Sequence, residues 1–334
     1  MLQIHVWGPT HHRGDLGLPY SRFFNYPTHA AVDSEMSRLE KPPACWVCGG
    51  RVRPYLHLGS VRVDACRHCD HLTMIRPPAS ERGTDYHLAY DQTTFLTALE
   101  ITRQRQAKDI LAGLTRHTAA SSILDYGCGR GFFLAECRAA GVLGLAGADT
   151  SDLAVSHLQH LGFESIRVQA NDSLLSDFSV LSFVPTTITF LDVIEHFPDD
   201  MVTTFAAWLA RLPERTRTFV FKVPCRDGVL FRTSRFFARL GIQGPVKQLF
   251  QLGTWPPHLQ YFSSKSLRLF VQNLGLTILE EWGDPDVEPG QLANRAASTK
   301  LLPRALVSSA AHLMIGCGKT LGQFDSRIVL AARR

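Results

Sequence analysis

The sequence has no run approaching the roughly 20 apolar residues needed to cross a bilayer, so no membrane span is expected. The opening stretch, MLQIHVWGPTHHRGD, also lacks a continuous apolar core of the kind a secretory leader carries. The resulting expectation is a cytoplasmic protein. Charge of one sign is scarce: 35 Lys and Arg face 30 Asp and Glu, a net +5 that permits a polyanionic partner without requiring one. Cysteine is sparse too, at eight in 334 residues, and a reducing compartment argues against a disulfide framework. No internal repeat is present. What remains, 45% hydrophobic and 19% charged residues, describes an ordinary folded chain of one large domain or a large and a small one.

Hydrophobic spacing organises the chain. Residues 1–43 mix Pro, His, Gly and polar residues without a sustained period and read as a loosely ordered arm. Residues 44–80 form a unit with paired cysteines. TTFLTALEITRQRQAKDILAGLTRH (93–117) repeats apolar residues at three- and four-residue steps, which predicts a long amphipathic helix. Strand-like and helix-like segments then alternate. Strands are predicted at SSILDYG, VLGLAGAD, FESIRVQA, TTITFLDV, RTFVFKVP, LTILEEW and SRIVLAARR, with helices between most of them. That alternation predicts an α/β fold, a Rossmann-like sheet of seven mostly parallel strands with helices on both faces. Residues 224–262 are too long for a simple crossover and are expected to form a lid-like insertion. Residues 291–318 read as a second, helical insertion.

The first strand runs into LDYGCGRGFF, a glycine turn opening a helix, the geometry that brings backbone N–H groups against a nucleotide. Absence is informative here as well. Gly131 is followed by Phe132 and Phe133 rather than by Lys and Ser or Thr, so a triphosphate loop is excluded. The third glycine arrives one residue too early for a dinucleotide turn. An acid, Asp125, closes the strand before the first glycine. S-adenosylmethionine carries an ammonium and a sulfonium but no phosphate, and a carboxylate at that point can take up the ammonium. Asp149 closes the next strand, where a carboxylate can accept both ribose hydroxyls. S-adenosyl-L-methionine is therefore the expected cofactor.

D-x-G-x-G-x-G, the second strand ending in Asp, and ITFLDVIEHF together resemble the class I S-adenosylmethionine-dependent methyltransferases, from about residue 93 to the C-terminus. The resemblance implies that Gly127, Gly129 and Gly131 contact the cofactor beside Asp125 and Asp149. It puts the end of the fourth strand, with Asp192, at the cofactor, and offers Asp172 for the adenine amine with Asn171 an equal candidate.

CWVCGG and CRHCD give two C-x2-C pairs, Cys45 with Cys48 and Cys66 with Cys69, separated by seventeen residues. This spacing supplies four thiolates for a tetrahedral zinc, and short strands between the pairs suggest a ribbon. Four thiolates leave no open coordination position, so the expected Zn2+ is structural, and His68 and His71 are read as bystanders. The unit is similar to the zinc-binding module that precedes the catalytic domain in a large bacterial group of these enzymes. Lys41, Arg51, Arg53, Arg62, Arg67, Arg76 and Arg82 outnumber Asp64, Asp70 and Glu81 around it, an excess that can dock RNA or simply be solvated.

For chemistry, DVIEHFPDD places Asp192, Glu195, His196 and Asp199 beside the cofactor, and the resemblance makes His196 the first candidate base. A shaping or helix-capping role for Glu195 or His196 is the alternative. His258, in PPHLQYF, is the second candidate base, and Tyr261 can position an acceptor hydroxyl. The expected activity is O-methylation of a small-molecule or saccharide acceptor in secondary-metabolite or glycan biosynthesis. An rRNA or tRNA methyltransferase using the basic ribbon, and a non-catalytic binding protein that has kept the fold, are the two alternatives. The sequence leaves the oligomeric state open.

Overall fold

The computed structural model describes residues 44–59, 61–75, 84–85, 93–118, 121–168, 178–198, 201–252, 254–285 and 304–334. The 1–43 arm, residues 76–80 of the cysteine unit, Asp172 and Asn171, Asp199, and the first part of the 291–318 insertion lie outside them.

In chain order, the cysteine unit contributes β1 (Val52–Leu58), β2 (Val61–Cys66) and β3 (Leu72–Ile75), followed by a short β4 (Thr84–Asp85). Then come α1 (Thr93–His117), β5 (Ser122–Tyr126), α2 (Phe132–Ala139), β6 (Gly144–Asp149), α3 (Asp152–His160) and β7 (Glu164–Arg167). After β8 (Thr187–Leu191) a single 3-10 turn, Ile194–His196, leads to α4 (Met201–Arg211) and β9 (Thr218–Pro224). The expected lid region contains α5 (Val229–Arg239), α6 (Gly244–Leu249), β10 (Thr254–Trp255) and β11 (Gln260–Tyr261). The chain finishes with α7 (Ser264–Asn273), β12 (Thr277–Asp284), α8 (Arg304–Thr320) and β13 (Ser326–Ala332). Ser263 opens α7 as the sequence predicts, accepting from Ser266 N–H while the Ser266 hydroxyl accepts from Ser263 N–H.

Seven strands form one sheet in the order β12-β13-β9-β8-β5-β6-β7. The pairs β5–β6, β6–β7, β5–β8 and β8–β9 are parallel, and β13 runs antiparallel to both β9 and β12. The Rossmann-like expectation holds. Alternation along each strand explains its two cores. Ile123, Leu145, Val220 and Ile328 face the layer holding Ile110, Leu114, Phe133 and Leu134. Leu124, Ala146, Phe221 and Val329 face Phe205, Trp208 and Phe270 on the other side. From β5 the chain winds outward to β7, then returns to β8 on the other side of β5. That reversal opens a crevice at the carboxyl ends of β5 and β8, where doubly wound folds bind ligands.

The cysteine unit is built into the same body. Its sheet runs β1-β2-β3-β11, so the fourth strand comes from the 224–262 segment. Phe231, Val246 and Phe250 of that segment pack with Leu58, Val63 and Met74 of the ribbon. The insertion thus covers the ribbon sheet, and its end carries the chain from ribbon to crevice. Gln260, fully buried, is the joint. Its Oε1 accepts from Trp46 Nε1 (2.7 Å), His71 Nε2 (3.0 Å) and Thr73 Oγ1 (3.2 Å), and its Nε2 donates to Phe197 O (2.9 Å). His71 stays outside the cysteine cluster, as expected, but serves the joint: burial pulls its pKa down to about 4, and the neutral ring spends its Nε2 hydrogen on Gln260. Gln260→Leu strands three donors and an acceptor, and an apolar replacement of similar size cannot satisfy them. The expected loss is about 3 kcal/mol or more, read as a lower urea midpoint at unchanged slope.

Candidate cofactor and acceptor site

Gly127, Gly129 and Gly131 have φ of 75°, 50° and 72°, all left-handed. A side chain at Gly127 would place its Cβ 2.4 Å from Val193 Cγ2, so this position must be bare for the β5 and β8 ends to meet. A Cβ at Gly129 would meet nothing within 4 Å, so that stretch of backbone faces open space. The turn is held from behind. Gly127 N–H donates to Ala148 O (2.7 Å), and Asp149 accepts from Gly129 N–H (2.8 Å) and Ser151 N–H (2.9 Å). Each Asp149 oxygen keeps a further lone pair.

Asp125 lies at the heart of this edge, 3% exposed, its Oδ1 accepting from Thr189 Oγ1 at 2.6 Å. Burial pushes its pKa up to about 7, with the neighbouring Asp149 charge adding to the rise and the Thr189 hydroxyl opposing it. A buried carboxylate of this kind fits a ligand that brings a cation. Asp192, at the end of β8, sits in a left-handed conformation (φ 58°) and is gripped by Lys222 Nζ at 2.7 and 2.9 Å and by Arg103. Lys222, 1% exposed on β9, and Arg103 on α1 hold this carboxylate, and the sequence reading named neither. The lone lysine inside the apolar run TFVFKVP was the available signal for the first. Arg103 sits in a helix rich in charge and had none.

The 3-10 turn joins this edge to the two histidines. Val193 packs on Gly127, and His196 N–H donates to Val193 O at 3.0 Å. His196 Nδ1 lies 2.9 Å from Pro257 O; a carbonyl only accepts, so Nδ1 carries the hydrogen and Nε2 keeps a lone pair. Burial lowers the His196 pKa, which keeps the ring neutral. The His258 ring, 8% exposed, lies edge-on to it with centroids 4.9 Å apart. Leu259 N–H donates to Glu195 O at 2.7 Å, and Met74 N–H of the ribbon donates to Leu259 O at 2.7 Å. The ribbon therefore fixes the segment that presents His258. The structure brings His196 and His258 together, with Tyr261 6.2 Å from His258 between ring centroids.

The four ribbon cysteines also converge. Cys45 Sγ and Cys69 Sγ are 3.6 Å apart, Cys48 Sγ and Cys66 Sγ 3.5 Å, and all four sulfurs lie within 4.8 Å of one another. A zinc with sulfurs at about 2.3 Å has tetrahedral edges of about 3.8 Å, so the four thiols fit the ion. The residue after each pair, Gly49 (φ 68°) and Asp70 (φ 62°), is left-handed, which curls both knuckles around one point. A proton shared with Cys69 pulls the Cys45 thiol down to about 6, the direction a metal ligand needs.

A family model described as a methyltransferase domain matches residues 99–281, more than half of the chain. The chain belongs to that family, as a class I S-adenosylmethionine-dependent methyltransferase with a four-cysteine cluster ahead of the catalytic fold. No curated protein matches it. Among solved structures it is similar to magnesium protoporphyrin IX methyltransferase from Synechocystis PCC 6803 with bound SAH, at 16% identity and a TM-score of 0.43, covering 71% of this chain and 86% of that one. It is also similar to geranyl diphosphate C-methyltransferase from Streptomyces coelicolor A3(2), at 13% identity and a TM-score of 0.45, covering 69% and 78%. A SAM-dependent methyltransferase from Archaeoglobus fulgidus is similar at 14% identity and a TM-score of 0.40, covering 68% and 94%.

Proposed function

We propose that this chain transfers a methyl group from S-adenosylmethionine to a hydroxyl of a small-molecule or saccharide acceptor, using a zinc-braced imidazole pair. The observation that carries the reading is the His196–His258 ring pair, with His258 buried, held one turn beyond the strand end that packs on Gly127. In this reading Asp125 takes the ammonium, Asp149 the ribose hydroxyls, and Gly127, Gly129 and Gly131 leave room for the amino-acid moiety. Asp192 fixes the rim through Lys222 and Arg103, and Asp172 or Asn171 serves the adenine. Cys45, Cys48, Cys66 and Cys69 hold the structural Zn2+.

When bound, S-adenosylmethionine supplies an electrophilic methyl carbon, whose bond to sulfur breaks with the electron pair left on sulfur. His196, its Nδ1–H fixed on Pro257, offers Nε2 to the acceptor proton, and His258 stands beside it as the second acceptor of that proton. Ordering of the 257–261 segment by the ribbon keeps both rings in place before the acceptor arrives. Of the basic residues around the ribbon, Arg62 is paired with Asp64 at 2.8 Å, whereas Arg51, Arg53 and Arg67 are exposed.

Radiolabelled methyl donor and a panel of sugars, glycans, phenolic metabolites, tRNA and rRNA test the reading. Label is expected in hydroxylated small molecules, with His196→Ala and His258→Ala each lowering kcat about a hundredfold at unchanged cofactor affinity. Turnover near wild type in either variant removes that residue as the base. Label in RNA transfers the assignment to the RNA reading, and a folded chain that takes up no donor returns it to a non-catalytic protein.

A further inference from the structure

Glu195 is the anomaly of the crevice. It is fully buried, yet neither carboxylate oxygen has a hydrogen-bond partner among the described residues. An acid left so is costly to bury, and a fold that keeps one gains something from it. Its carboxylate, His196 and His258 each offer a ligand atom, and the three atoms lie within 4.8 Å of one another. His196 has a feature expected of a metal-binding imidazole: its other nitrogen donates to a backbone carbonyl, which fixes the ring and directs the Nε2 lone pair.

We propose that Glu195, His196 and His258 form a site for a first-row divalent cation of the zinc class, open on its acceptor side. This rests on the reading of the crevice edge as the acceptor site. Two imidazoles and a carboxylate suit a borderline cation, with ligand atoms about 2.0–2.2 Å from the ion and about 3.4 Å from each other. The present spacing closes to that with each atom moving by less than about 1 Å. Three protein ligands leave a coordination position, unlike the closed shell of the four cysteines. An acceptor hydroxyl bound there would be acidified by the ion and would lose its proton to solvent on the open side, the imidazoles holding the cation rather than receiving that proton.

The test uses the full chain with the cysteine cluster already zinc-loaded, titrated with Co2+ and with Zn2+ by calorimetry and by metal analysis after dialysis. A second equivalent is expected, and its cobalt spectrum should lack the thiolate charge-transfer band. Glu195→Gln and His258→Asn should each weaken that second site at least about tenfold while still binding S-adenosylmethionine. Saturation at one metal per chain, or a second cobalt with thiolate character, overturns the site. Equal metal affinity in folded variants overturns it as well. Should a variant fail to fold, the wild-type stoichiometry and spectrum decide. Cofactor binding without a second metal removes the metal site alone, whereas a second metal without cofactor binding removes the functional reading.

Discussion

Removing zinc from the four-cysteine cluster, by chelation or by Cys69→Ser, is expected to lower methyl transfer about a hundredfold while leaving S-adenosylmethionine affinity within about threefold. The split follows from what the ribbon touches. Cys45, Cys66 and Cys69 share a core with Phe262 and Phe270, and Cys69 O accepts from the Ser263 hydroxyl at 2.8 Å. Strand β3 pairs with β11, and Met74 holds Leu259 beside Glu195. Loss of the metal therefore releases the segment that presents His258. The glycine turn and Asp149, by contrast, are braced by β5, β6 and β8, which pair only with one another and with β7 and β9. Turnover and cofactor binding measured on the same metal-stripped sample, alongside its unfolding temperature, check the split. Equal loss of both would mean that the ribbon supports the whole fold rather than the acceptor side.

The second large effect is a pH dependence set by Asp125. In the cofactor-free protein its pKa is raised from 3.8 to about 7, chiefly by burial. The folded chain therefore holds a proton there that the unfolded chain has released across that interval. Stability of the cofactor-free protein falls as pH rises from about 4 to about 7, by up to about 4 kcal/mol. An ammonium group bound beside the carboxylate reverses the preference, so binding below pH 7 must expel the proton. The apparent Kd for S-adenosylmethionine is expected to rise about tenfold per pH unit below about 7 and to be flat above it. Asp125→Asn should remove that slope, weaken binding at pH 8 at least about a hundredfold, and make the cofactor-free protein more stable there. A wild-type affinity that does not change between pH 5.5 and 8 would show that Asp125 does not carry the contact.

Much of the fold was legible because its signals are local. The parallel strands announce themselves as short apolar runs, and the Ser263 cap and the glycine turn lie where the sequence places them. The paired cysteines meet as their spacing implies. The joint between ribbon and crevice was not legible. Gln260 gains its meaning only when Trp46, His71 and Thr73, about 190 to 210 positions earlier, close around it. Lys222 and Arg103 are similar cases, since an ion pair across α1, β8 and β9 leaves no periodic trace. The long segment before α7 read as a lid because its length exceeded a crossover. Its helices pack on the ribbon sheet, a partner that sequence spacing cannot name.

One measurement bears most directly on the account: calorimetric titration of the zinc-loaded full chain with S-adenosylmethionine at pH 8, where Asp125 is ionised. The expected result is saturable, micromolar-range binding at about one equivalent per chain, lost in Asp125→Asn. A folded, zinc-loaded chain that gives no heat and no shift in unfolding temperature with the cofactor, even with acceptors present, would contradict it.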